Sequence, residues 1–138
     1  MKKYLLTLAV LLSLSMAASA QDAELLDPTP PGPFIKFSEM SHDFGDIEQG
    51  DRVEYTFEFT NTGDAPVVIS NVLTTCGCTA SSWPREPIVP GASSKIEVTF
   101  NSTGKIGHQN KVITIMSNAT NNPERVKIVT NILPKADS

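Results

Sequence analysis

Basic side chains are scarce in this 138-residue chain, and so are cysteine, histidine and tryptophan. It holds 11 Lys and Arg against 15 Asp and Glu, two Cys, two His and one Trp. Two of the basic residues, Lys2 and Lys3, sit at the extreme N-terminus. The rest of the chain therefore carries a net charge of about −6, which repels a phosphate backbone and argues against a nucleic-acid partner. No stretch keeps a helical period over eleven residues, so a helical bundle is excluded. No G-x-S-x-G, H-E-x-x-H or dinucleotide fingerprint occurs, so the common hydrolase, zinc-protease and nucleotide sites have no sequence basis. Ser102-Thr103-Gly104-Lys105 resembles the end of a phosphate loop, but the earlier Gly is missing. Ile106 also stands where a metal-binding Ser or Thr is required. The expectation is a non-enzyme with no cofactor and no catalytic residues.

One apolar run is present, at the start. Tyr4 to Leu14 is too short to span a bilayer as a helix; it follows two lysines and ends in Ala18-Ser19-Ala20. This reads as a signal peptide over residues 1–20, cut before Gln21. It implies a periplasmic or secreted protein with no integral membrane segment after cleavage. Residues 21–33 follow as a linker stiffened by Pro28, Pro30, Pro31 and Pro33. Residues 34–133 make one domain and 134–138 a tail. About 118 residues beyond the cut bury enough surface to fold without a disulfide.

Within the domain the hydrophobic period is two. Val53, Tyr55, Phe57 and Phe59 alternate with Arg52, Glu54, Thr56, Glu58 and Thr60, the pattern of a half-buried strand. Asn61-Thr62-Gly63-Asp64 turns the chain, and Pro66 to Leu73 reads as the returning strand. Lys95 to Phe100, Lys111 to Met116 and Arg125 to Ile132 add three more. Phe34 to Phe37, Asp43 to Ile47 and a piece around Cys78 are weaker candidates. Gly, Pro and Asn clusters separate them, and Ser102 to Gly107 reads as a hairpin loop. Seven or eight short strands at this spacing predict an all-β, immunoglobulin-like antiparallel sandwich. Its core should hold Tyr55, Phe57, Phe59, Ile69, Ile96, Val98, Phe100, Ile113, Ile115 and Ile128.

Cys76-Gly77-Cys78 is the constellation with chemical potential. In an oxidising compartment the two thiols have only each other to bridge with. Residues i and i+2 of a strand share a face, with Cα atoms near the upper limit of about 6.8 Å for a bridge. Gly77 tolerates the bend that closure needs. So small a loop adds only roughly 1.6 kcal/mol before strain is subtracted, and strain makes the bond easier to reduce. Three readings follow: two small buried side chains or a quiet bridge, a labile redox pair, or two thiolates on a soft ion such as Cu(I). Metal binding would need further donors from among His42, His108, Met40 and Met116. Trp83, in the rigid stretch Trp83 to Gly91, is expected to fold back over the sandwich end, the alternative being an exposed partner-binding anchor.

The motifs also have an order. His42-Asp43-Phe44-Gly45-x-Ile47-x-x-Gly50 is followed by Phe57-x-Phe59-x-Asn61-Thr62-Gly63-Asp64-Ala65-Pro66. Cys76-Gly77-Cys78-Thr79, Pro87-Ile88-x-Pro90-Gly91, Val98-x-Phe100-Asn101-Ser102 with Gly104-Lys105 and Gly107, and Ser117-Asn118 come after. From Phe34 to Ile132 the chain resembles the secreted immunoglobulin-like domains of unknown function abundant in Bacteroidetes. The resemblance implies a fold similar to major sperm protein, the pilus chaperones and hydin-type domains, which are mostly binding or scaffold modules. It supplies no role for the Cys-Gly-Cys-Thr motif. The functional expectation is an interaction or scaffold module of the cell envelope with an envelope protein as partner. The alternative is a thiol redox or copper-handling protein using Cys76 and Cys78. Intact-mass measurement of the exported protein should give an N-terminus at Gln21; full-length chain in the membrane fraction would contradict the export reading.

Overall fold

The computed structural model describes residues 31–75 and 77–136. The expected signal peptide, most of the linker and Cys76 lie outside the described residues. Eight strands follow in order: β1 Ile35–Phe37, β2 Ser41–Glu48, β3 Arg52–Asn61, β4 Ile69–Thr74, β5 Cys78–Ser82, β6 Ser93–Asn101, β7 Gly107–Ser117 and β8 Glu124–Leu133. They form two four-stranded sheets, β1-β3-β6-β5 and β2-β8-β7-β4. The sandwich expected from the sequence is thus present. All pairings are antiparallel except β2 with β8, which run parallel.

The alternating side chains of β3 and β6 build one wall of the core: Phe57, Phe59, Ile96, Val98 and Phe100 are fully buried. The opposite wall comes from Ile113 and Ile115 on β7 and Val126, Ile128 and Ile132 on β8. Phe37 packs on the same cluster, its ring 5.4 Å from that of Phe59. Each such aromatic or aliphatic side chain contributes about 1.5–3 kcal/mol by leaving water.

Tyr55 departs from the expected core. It has the inward parity of Phe57 but is only half-buried. Its hydroxyl donates to the Glu39 carboxylate, so the ring lies at the margin, where its polar end reaches a partner.

Two expected hairpins are also absent. β3 and β4 belong to different sheets, and so do β6 and β7. The segments 62–68 and 102–106 therefore carry the chain across the sandwich. Alternation shows which face of a strand is buried, but both sheets bury a face against the same core, so it does not assign the sheet.

Buried polar groups fasten the loops. Asn61 is fully buried. Its Nδ2 donates to the carbonyls of Ala65 and Ile88, both at 2.8 Å. Its Oδ1 accepts from the N–H groups of Gly63 at 3.0 Å and Phe34 at 3.4 Å. Gly63 is required beside it, because a Cβ there would lie 2.0 Å from the Gly32 carbonyl oxygen and 2.6 Å from the Phe34 nitrogen. At the other end, the buried Ser102 hydroxyl reaches the Glu48 and Asp51 carbonyls.

Phe57→Ala should cost about 3–5 kcal/mol in chemical denaturation, and a loss below about 1 kcal/mol would contradict the assigned face of β3. Asn61→Ala, which strands two carbonyls and two N–H groups, should cost about 2–4 kcal/mol by the same measurement.

Candidate functional site

β4 ends at an edge of one sheet and β5 begins at an edge of the other. Gly77 and Cys78 stand at the corner between them. The Cys78 N–H donates to the Thr75 carbonyl at 3.1 Å, and the Thr74 hydroxyl donates to the Cys78 carbonyl at 3.0 Å. The Gly77 carbonyl accepts from the Asn101 N–H at 3.0 Å, which ties the corner to the end of β6. Gly77 has a φ of +90°, the left-handed region that favours glycine. A Cβ there would also meet Lys105 Cε at 2.5 Å and Phe100 Cε2 at 3.1 Å. The Lys105 stem therefore crosses directly over the glycine.

Cys78 lies opposite Phe100 in the β5–β6 pairing. Its thiol is free and buried. Burial pushes its pKa up to about 11, while the positive charges of Lys111 and Lys105 draw it down. Lys111 shares the inward parity of Ile113 and Ile115, at the polar end of β7. At neutral pH Cys78 is a protonated thiol, a poor nucleophile and a poor metal ligand. A bridge or a shared metal, two of the readings open from the sequence, would also involve Cys76, which lies outside the described residues.

The other candidate donors are dispersed. His42 is on β2, on the far side of the sandwich from the β4–β5 corner, and stacks on Tyr55 with ring centres 3.7 Å apart. Phe44 meets the His42 ring edge-on at 4.6 Å. His108 is exposed on β7, and Met40 is exposed just before β2. Met116 lies toward the opposite end of β7, paired with Asn71. Among the described residues no three His, Cys, Asp or Glu side chains converge on a point that could hold a metal ion.

Trp83 folds back as expected. It packs against the core, with the Arg85 guanidinium 3.8 Å above its ring. Its Nε1 is buried without an acceptor.

Sequence reasoning missed two groups. Lys105 stands in the ordered motifs, in Gly104-Lys105, yet nothing local links it to Cys78. Lys111 carries no signal at all, since a lysine at the start of a strand reads as solvated. The Glu39–Tyr55–His42–Phe44 cluster was missed because it is assembled from β3 and from residues on either side of the crossing into β2.

The fold is similar to several solved structures. One is a protein of unknown function from Porphyromonas gingivalis W83, with 20% identity and a TM-score of 0.63 over 73% of this chain and 47% of that one. Another is the secreted serine protease VesC from Vibrio cholerae, with 17% identity and a TM-score of 0.60 over 75% of this chain and 24% of that one. A third is the ASH / PapD-like domain 7 of human CEP192, with 12% identity and a TM-score of 0.56 over 78% of this chain and 90% of that domain. The chain thus spans about half of the first and a quarter of the second, and at these identities the likeness is one of fold. No curated protein matches it. Over residues 35–132, nearly the whole sandwich, the sequence matches a family of unknown function, and the chain belongs to that family, described as "Protein of unknown function (DUF1573)".

Proposed function

We propose that this domain is an exported cell-envelope module that works by binding another envelope protein, not by chemistry at a site. The observation that carries the reading is the state of Cys78. The described side chain with the most chemical potential is buried and held protonated, which leaves the strand edges and outer faces to do the work. Sandwiches of this shape commonly act through such surfaces. The periplasmic or secreted location rests on the N-terminal segment.

A thiol function is the second reading, and Lys105 and Lys111 favour it. Both charges act to stabilise a thiolate at Cys78, and an opening of the corner would let them act without the burial that opposes them.

A pull-down from envelope extract with the full chain separates the two. A stoichiometric partner kept by the Cys76→Ser/Cys78→Ser double variant supports the module. Loss of the partner in a variant that still folds, or stoichiometric copper or zinc by elemental analysis, supports thiol chemistry.

The buried thiol makes two further predictions. At pH 8, native Cys78 should alkylate with iodoacetamide at about a hundredth of the rate in the unfolded chain; equal rates would remove the carrying observation. Unfolded Cys78 ionises near its ordinary pKa of 9.0 and folded Cys78 near 11. The unfolded state therefore binds fewer protons between these values, and stability falls as pH rises from 9 to 11. Denaturation midpoints across that range should drop less in Cys78→Ala than in the parent.

A further inference from the structure

We propose that the open half of β3 is a docking edge for an extended partner segment whose side chains alternate between apolar and basic. The proposal rests on the binding-module reading and assigns that module its surface. The Ser38 N–H donates to the Glu58 carbonyl and the Thr62 N–H to the Phe34 carbonyl, both at 3.0 Å. The even-numbered residues of β3 therefore turn their backbone groups toward β1. β1 stops at Phe37, and the chain crosses to the other sheet as β2. Arg52, Glu54 and Thr56 thus aim N–H and C=O groups at a side where no described strand pairs with them.

The remaining edges are blunted. β1 is three residues long, and Asn121 engages both the N–H and the C=O of Ile35. β2 shifts register between Asp43 and Asp46, β4 between Ile69 and Asn71, and β5 between Ala80 and Ser82. Bulges and short strands of this kind keep edges from recruiting other chains. β3 carries none of them; its pairing with β6 is unbroken from Arg52 to Thr60. Beside its open half lies a depression of about 220 Å³ lined by Ser38, Glu39, Tyr55, Thr56, Phe57 and Glu58.

The side chains there specify the occupant. An added strand would place alternate residues beside the outward Arg52, Glu54, Thr56 and Glu58, with Glu39 close by, so three carboxylates against one guanidinium favour cations across the pairing. Its other residues would point toward the half-buried rings of Tyr55, His42 and Phe44, where apolar groups leave water. The chain's own residues 21–30 do not suit this edge: they carry Asp22, Glu24 and Asp27, and Pro28 and Pro30 lack the N–H a ladder needs. A second copy pairing β3 on β3 suits it poorly. A twofold through Thr56 sets Glu54 against Glu58, and one through Glu54 sets it against itself. One through Tyr55 sets Arg52 against Glu58, whose carbonyl Ser38 already holds, and one through Val53 pairs only Arg52 to Glu54 within the strand.

The test uses the full exported chain and two capped octapeptides, one alternating Lys with Val and the other Glu with Val. Fluorescence anisotropy gives affinity, and amide exchange by NMR gives position. The Lys peptide should slow exchange at Glu54 and Thr56. Thr56→Pro removes only an edge-facing N–H, which edge positions tolerate, and should weaken binding by at least about tenfold. Glu54→Lys/Glu58→Lys leaves the backbone edge intact and should reverse the preference to the Glu peptide; this variant decides the matter if the proline one fails to fold. Absence of binding at millimolar peptide, protection on β2, β4 or β5 instead, or equal affinity for both peptides would overturn the proposal. Peptide-free self-association that protects Glu54 and Thr56 would overturn the choice of occupant. An envelope partner retained equally by Thr56→Pro would overturn the edge while leaving the module reading intact.

Discussion

Asn61 is the point on which one end of the sandwich depends. Its amide sits where β3 stops, and every polar atom of its side chain is engaged with backbone from three different segments. Those segments are the approach to β1, the turn that leaves for β4, and the loop that leads into β6. Each is an irregular run that no strand ladder satisfies throughout. Their backbone groups would compete for water if the amide did not satisfy them in a dry environment. The bonds reach further through β1, which is short enough that its place beside β3 is fixed at this end by Asn61 and on its outer side by Asn121. The core wall of Phe57, Phe59 and Phe100 is built between strands whose ends are set by these polar contacts.

How much of this was legible in the sequence follows from the range of each interaction. The aromatic alternation of β3 is local, so its strand and its buried face could be read directly, and the same alternation places Ile113 and Ile115 of β7 inward. Tyr55 shares the parity of Phe57, and only its distance from the core centre, a tertiary property, leaves it at the margin. The first residues of β7 escaped notice because Gly107, Gln109 and Lys111 occupy inward positions with polar or missing side chains, which erases the pattern. The sheet to which each strand belongs is decided across the core and leaves no trace in a period of two. Asn61 reads as a turn residue, and its buried role depends on Ile88, which is 27 positions away.

The candidate site was legible in one respect. The glycine between the two cysteines suggests a bend, and Gly77 lies in the left-handed region with the Lys105 stem against it. What surrounds the thiol was not legible. Burial was one of the readings open to the pair, and Cys78 is buried opposite Phe100. Two lysines approach from β7 and from the segment before it, so burial and charge act on the same sulfur in opposite directions, with burial the larger. The corner therefore has a resting state that is chemically quiet and a set of neighbours that would not leave it quiet if it opened.

The parallel pairing of β2 with β8 has a mechanical consequence. The described chain enters beside Asn61 and leaves past Leu133, whose carbonyl accepts from the Gln49 N–H at the opposite end of the sandwich. Tension between the two termini would draw β2 and β8 in opposite directions along their length. Six paired positions from Ser41–Lys127 to Glu48–Leu133 then carry the load together. A ladder pulled in shear yields only when its bonds fail as a group, whereas one peeled from an end loses them singly. A domain tethered at its N-terminus and loaded at its C-terminus would thus meet force along its more resistant direction.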